Sequence, residues 1–193
     1  FLNNTLEIIN LEARVAENES VCSMIEALST MLDAAIGRDD RSQIQLSEEL
    51  RYVDAYLYIT KKRLGDRLTI KRDIDPEMLT CLIPRLMLQP IIENAIYHGI
   101  KPKKEKGHIV IQGYEEEEHI VFNVLDDGVG MSEDKMTTLN EELANYYIKG
   151  NQHIGIRNVN QRIKLIFGEE YGVKFIGRKE GGIQVKIVIP KLK

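Results

Sequence analysis

Tryptophan is missing from this chain and cysteine nearly so, with Cys22 and Cys81 the only thiols among 193 residues. They lie far apart, without CxxC spacing or a neighbouring histidine pattern. They therefore offer neither a metal site nor a disulfide framework and are expected to be reduced, buried thiols in a reducing compartment. Positive charge is not in excess either. The formal charge of −4 leaves no broad basic field with interleaved aromatics, so nucleic acid is not an expected partner. No apolar run approaches the ~20 residues of a membrane span, and the first residues do not have the form of a signal peptide. Internal repeats and low-complexity segments are absent. The chain opens at Phe1 in what already reads as helix, as expected of a piece of something longer, and its length suits one or two domains at ~100–200 residues each.

What is present divides in two. From Phe1 to Ile36 apolar residues recur at helical spacing (Leu6, Ile9, Val21, Ile25, Leu28, Leu32), until Gly37 and the charged run Arg38 to Arg41 end the pattern. A second helix is expected from an N-cap at Ser47 to about Leu64, stopped by Gly65. Two antiparallel amphipathic helices cannot bury both faces alone. They imply four-helix pairing with a second copy or docking on the remainder. After Gly65 the texture changes. Leu68 to Ile74 reads as a strand, and Pro84 as the start of a helix running to Gly99. His108 to Tyr114 and His119 to Leu125 form a hairpin around the acidic turn Glu115 to Glu118. A helix is expected near Glu133 to Tyr147 and another from Ile154 to Phe167, capped by Gly168. A last hairpin joins Val173 to Gly177 with Ile183 to Ile189.

The chemistry centres on VFNVLDDGVGM, Val121 to Met131, a buried strand that stops at two carboxylates and two glycines. A carboxylate there is costly unless something pairs with it. Gly128 and Gly130 allow positive φ and let a ligand approach bare backbone, so Asp126 can accept from an amino group such as the exocyclic amine of adenine. An ordinary Asp-Gly hairpin turn accounts for the same residues. Asn94, inside the apolar helix and beside Glu93, is either a structural cap or a hard oxygen ligand for Mg²⁺. Gly155 opens a helix whose free amides would make an anion site, with Arg157 adding charge.

Taken in order, PIIENAIYHG, DDGVGM and HIGIRNVNQRI resemble the N, G1 and G2 boxes of the GHKL ATP-binding fold. With YLYITKKRLGDRL ahead of them they are similar to sensor histidine kinases of the LytS and YesM type, over the whole chain. The resemblance implies an α+β chain: a helical hairpin for dimerisation and phosphoacceptance over residues 1–64, then an α/β sandwich of the GHKL (Bergerat) type over 65–193, whose mixed, mostly antiparallel sheet carries helices on one face. FLNNTLE at Phe1 to Glu7 matches the phosphoacceptor motif after its histidine, which would be the residue just before Phe1. The implied activity is ATP-dependent transfer of the γ-phosphoryl group to that histidine and then to a response-regulator receiver domain. ATP and Mg²⁺ would be the cofactors, a homodimer through the N-terminal helices the assembly, and the cytoplasmic portion of a bacterial cell-membrane sensor the location, with the membrane reached only through the missing upstream part.

By the same resemblance Asp126 would bind the adenine amine, and Gly128, Gly130 and Met131 would shape the floor. Asn94 would hold Mg²⁺, with Glu93 bonding a metal water, and His98 is either a stacking partner of the base or a helix-terminal histidine bonded to backbone. Gly155, Ile156 and Arg157 would meet the phosphate tail, and Lys135 to Gln152 would form the lid. Three positions depart from the pattern. Tyr97 stands where many histidine kinases place Lys, leaving Lys101 or Lys103 to reach the phosphates. His153 replaces the first glycine of the G2 box, and Pro90 occupies the position of the hydrolytic Glu of gyrases and chaperones. The alternatives are a non-catalytic, nucleotide-gated interaction module and, further off, a GHKL hydrolase.

Overall fold

A computed structural model describes residues 2–36, 41–145 and 154–191. The N-terminal apolar stripe is carried by two helices, where the sequence predicts one: α1 (Leu2–Val15) and α2 (Glu19–Ile36). The chain turns between them at Glu17, whose φ is 51°, and Asn18 starts α2 by accepting from the Val21 amide through its side-chain oxygen at 3.2 Å. α1 folds back onto α2, burying Leu6, Ala13 and Ile25 together, and Arg14 reaches Glu26 at 3.0 Å. α3 (Leu46–Leu64) lies antiparallel to α2, with Lys62 bonded to Ser20 at one end and Ala34 packed with Tyr52 at the other.

The start of α3 is not capped by Ser47. It begins one residue earlier, directly from β1 (Gln43–Gln45), and the Leu46 amide donates to the Cys81 carbonyl at 2.9 Å. β1 pairs antiparallel with β3 (Leu82–Pro84). Pro84 thus ends a strand, and the predicted helix starts later, as α4 (Gln89–Asn94), with Pro90 in its first turn. From Ala95 to Ile100 it continues as a π turn in which Lys101 donates to Ile96, five residues back.

The main sheet is five-stranded: β2 (Leu68–Ile74), β4 (Gly107–Glu116), β5 (His119–Asp126), β6 (Gly172–Gly177) and β7 (Ile183–Pro190) in the order β2-β4-β5-β7-β6. Only β2 with β4 is parallel. Alternation sends Ile109, Ile111, Phe122, Val124, Phe175, Val185 and Ile187 to one face. There they meet Ile91, Ile92 and Ile96 of α4 and its π turn, Leu139 and Leu143 of α5 (Glu133–Ala144), and Ile156, Val159 and Ile163 of α6 (Ile154–Phe167). The same core takes in Leu46, Leu50, Val53 and Leu57 of α3, so the helical region and the sheet share an apolar interior.

α5 is tied to the free edge of the sheet by one side chain. The Asn140 amide donates to the Phe175 carbonyl and accepts from the Phe175 amide, both at 2.8 Å. The predicted end of α5 at Tyr147, and the rest of the expected lid up to Gln152, lie outside the described residues, as does His153. No described helix is long and apolar enough to cross a membrane.

The break at Glu17 has a clear sign test. A left-handed residue other than glycine carries roughly 1–2 kcal/mol of strain, so Glu17→Gly is expected to leave stability unchanged or raise it by up to ~1 kcal/mol in chemical denaturation. A continuous helix would instead lose ~1 kcal/mol.

Candidate nucleotide-binding site

Strand β5 delivers Asp126 to the edge of the apolar core, where it is 2% exposed. Burial pushes its pKa up. The amides of Gly128 and Ile183 and the charge of Arg178 pull the other way, and Asp127 adds to the rise. Its Oδ1 accepts from the Gly128 amide at 2.8 Å, and Arg178 donates to its backbone carbonyl at 2.6 Å.

Three glycines from separate parts of the chain close around this carboxylate. A Cβ on Gly99 would stand 2.8 Å from Asp126 Oδ1, one on Gly128 would run into the Gly99 backbone, and one on Gly182 into the Asp126 carbonyl. The Val129 amide donates to the Gly99 carbonyl at 3.1 Å, so the π turn and the loop after β5 touch backbone to backbone. Gly128 is therefore needed for space. Gly130, at φ 70°, is needed for conformation. Sequence reasoning singled out Gly128 and Gly130 but passed over Gly99 and Gly182, whose role depends on contacts distant in sequence. Met131, half-buried, packs against the main core beside them.

The helix that ends against Asp126 also carries Asn94, its last α-helical residue, half-buried. Glu93 accepts from Gln89 at 2.8 Å, and its charge acts on the Tyr56 phenol of α3, which burial, more than that charge, holds above its usual range. His98 has its pKa lowered by burial and then by the charge of Lys135. Tyr97 meets it edge-on with centroids 5.0 Å apart, and Lys101 sits 4.7 Å above the Tyr97 ring.

Lys103, the other expected phosphate cation, is instead held by Asp127, at 3.0 Å from its carbonyl and 3.1 Å from its carboxylate. Lys135, in the first turn of α5 after the Ser132 cap, is a cation whose charge acts on His98; sequence reasoning placed this lysine only within the lid.

Gly155 sits in the first turn of α6, where an added Cβ would stand 3.4 Å from the Pro90 ring of α4. The Ile156 side chain is part of the core. Arg157 does not project toward the α6 N-terminus as a free cation. Its guanidinium is buried and paired with Glu142 of α5 at 2.5 Å, joining the lid helix to α6. Among the described residues no group of three His, Cys, Asp or Glu side chains could hold a metal ion. A cavity of about 740 Å³ runs along the β6 edge between Asn140, Lys164, Tyr171 and Lys186, and Asp126 and Asn94 do not line it.

Asp127 faces away from its neighbour. Burial alone would raise its pKa, but bonds from the His108 amide and ring and from Lys103 outweigh that and hold it below the usual range. A lowered folded pKa contributes stability above the unfolded value of ~3.9 and loses it as pH falls through the folded one. Asp127→Asn is expected to cost ~1 kcal/mol at neutral pH. In urea melts at stepped pH, that difference from wild type should disappear on the acid side of the ordinary carboxylate range.

The fold and this arrangement have counterparts. The profile of the histidine kinase-, DNA gyrase B-, and HSP90-like ATPase family matches residues 83–193, and that of the histidine kinase family residues 1–68. Sensor histidine kinase YesM of Bacillus subtilis is 34% identical over 190 residues, which is 98% of this chain and 31% of that protein. The chain thus spans about a third of the length of the curated relatives it matches. Among solved structures, the histidine kinase domain of the Erythrobacter litoralis EL346 blue-light activated kinase is alike at a TM-score of 0.55 and 18% identity, covering 97% of this chain and 83% of that one. Histidine kinase ThkA in complex with response regulator protein TrrA is alike at 0.56 and 16% identity, covering 91% of this chain and 51% of that one. With its sheet order, its glycine-walled aspartate and these matches, the chain belongs to the histidine kinase-, DNA gyrase B-, and HSP90-like ATPase family, and over its own length it is similar to sensor histidine kinases such as YesM.

Proposed function

We propose that the chain is the dimerisation and ATP-binding part of a protein-histidine kinase in a two-component system. The observation that carries this is Asp126, a carboxylate whose ionised form is penalised by burial and whose surroundings are bare glycine backbone. An exocyclic amine donating to it offsets that penalty. In this reading Asp126 takes the adenine amine, Gly128, Gly130 and Met131 form the floor, and His98 stacks on the base. The amides of Gly155, Ile156 and Arg157 at the α6 N-terminus meet the phosphates. Lys101 and Lys135 stand on the side of His98, and the segment from Lys135 is the lid.

A Mg²⁺ ion fits the site through the Asn94 amide oxygen and phosphate oxygens, with Glu93 bonded to a coordinated water, and it would supply charge neutralisation at the phosphates. The acceptor is a histidine just ahead of Phe1 on the α1 helix. Its imidazole nitrogen attacks the γ-phosphorus, the bond to the β-phosphate oxygen breaks, ADP leaves, and the ring gives up its proton. Catalysis is mostly positioning. The phosphoryl group then passes to the aspartate of a response-regulator receiver domain, the kind of partner seen bound to ThkA.

Residues 1–64 act as the helical unit and 65–193 as the ATP-binding unit, with α3 packed into both. Ile8, Leu11 and Val15, 62–76% exposed at positions that share a face of α1, support a dimer with a second copy. The whole protein is placed at the bacterial cell membrane, with this part on the ATP-containing cytoplasmic side. Pro90 in place of a hydrolytic carboxylate speaks against a hydrolase. The burial of Arg157 against Glu142 is the observation that favours the second reading, a nucleotide-gated module in which the phosphates compete for a lid anchor without transfer.

Calorimetry with a non-hydrolysable ATP analogue, with and without Mg²⁺, tests binding. Radiolabelled ATP, given to this chain and to one extended upstream, tests transfer. Binding with labelling of the extended chain alone is the expected result, and binding without labelling in either selects the gated module. Asp126→Asn is expected to weaken nucleotide binding ten- to a hundredfold, from ~1.5–3 kcal/mol for a hydrogen bond to a charged group. Its melting temperature should be unchanged or higher, since a buried charge is removed.

A further inference from the structure

Glu49 is fully buried, yet it belongs to the first turn of α3 in the helical region. Its two carboxylate oxygens accept from the backbone amides of Leu86 at 2.8 Å, Leu88 at 2.9 Å and Gln89 at 3.3 Å. Leu88 and Gln89 open α4, the helix that carries Asn94, and Pro90 beside them has no amide to offer. A helix start leaves its first amides without partners and is the positive end of the helix dipole. Here a carboxylate from 40 residues earlier supplies both the acceptors and the opposite charge. Burial penalises that charge, and the amide bonds pull against the penalty.

The segment held in this way is a junction. Leu86 adopts φ 53° and packs against Ala34, Ile44 and Tyr52. Arg85 donates to the Asp33 carbonyl of α2 at 2.9 Å, and Arg162 of α6 donates to the Arg85 carbonyl. Strained backbone persists only where its surroundings over-determine it, and α2, α3, α6 and β1 do so here. The adenine end is anchored differently. Asp126 is fixed mainly by β5, Gly128, Gly182 and Arg178; of its walls only Gly99, one residue after His98, belongs to the π turn that α4 runs into.

We propose that Glu49 is a positioning residue: by clamping the Leu86–Gln89 backbone it ties the placement of Asn94 to the register of α2 and α3, so that a shift of the helical region is felt chiefly at the magnesium and phosphate end of the nucleotide site and far less at the adenine end, where β5, Gly182 and Arg178 hold Asp126 independently. This rests on the nucleotide-binding reading above.

The test is calorimetry on wild type, Glu49→Gln, Asn94→Ala and the double variant, titrated with ADP in EDTA and with the ATP analogue in Mg²⁺. Gln keeps the size of the side chain and one acceptor oxygen. Glu49→Gln is expected to weaken the magnesium-dependent binding about tenfold, while ADP in EDTA stays within about twofold. The effect should vanish on the Asn94→Ala background, since residues acting as a unit are not additive. Equal losses in both titrations, an unchanged magnesium increment or additive effects would overturn the proposal and leave Glu49 a plain structural cap.

Should Glu49→Gln not fold, Leu86→Gly reads the same coupling. Glycine accepts the backbone angle and removes the contact with α2, and the same selective loss is expected. Wild type binding no nucleotide in either condition would overturn the functional reading and this inference together. Wild type binding with both variants unaffected would overturn this inference alone.

Discussion

A charge at the end of a buried strand must be neutralised or walled in, and at Asp126 the chain does the second. The wall is backbone: Gly99 from the π turn, Gly128 from the loop after β5, and Gly182 from the approach to β7. Because none has a side chain, three segments can converge on one carboxylate with backbone alone. Most of the architecture serves this convergence. The π turn brings Gly99 against the loop, the β5–β7 pairing brings Gly182 to the same level, and Arg178 holds the carbonyl behind. The arrangement costs stability, since the carboxylate is buried without a cation on its side-chain oxygens.

The second organising element is α3. Its apolar face enters the core that also holds α4 and the sheet, and its flank meets α2. A division of the chain near Gly65 separates two sequence textures, but it does not separate two interiors. The β1–β3 ladder and Glu49 tie the segment before α4 to the start of α3, so α4 begins where the helical region fixes it.

Much of this was legible in the sequence because it rests on local periodicity. The hairpin of β4 and β5, the α6 helix, the closing strands and the role of Gly65 follow from spacing and turn chemistry alone. What was not legible depends on partners far along the chain. The apolar stretch from Leu82 to Met87 suits a helix as well as a strand, and only pairing with Gln43–Gln45 decides it. The break after Val15 hides because both helices share a 3.6-residue period, and Asn18 is its single local sign. Arg157 at a helix start invites an anion, but Glu142, fifteen residues earlier, already claims it. Helical spacing puts Glu49, and not Glu48, on the face of Leu46, Leu50 and Val53, but the acceptors of its charge lie 37 to 40 residues on and give no local sign.

The Asn140 contact with Phe175 has a consequence for solubility. β6 is the last strand of the sheet, and a free edge is a template on which another chain can add a strand. The Asn140 amide, one donor and one acceptor set like a peptide unit, occupies that position as if it were a single residue of a sixth strand. Docking of α5 therefore shields the sheet from self-association. A conformational cycle that lifted α5 would bare the edge each time, so concentrated protein would be at most risk of stacking edge to edge while the helix is away.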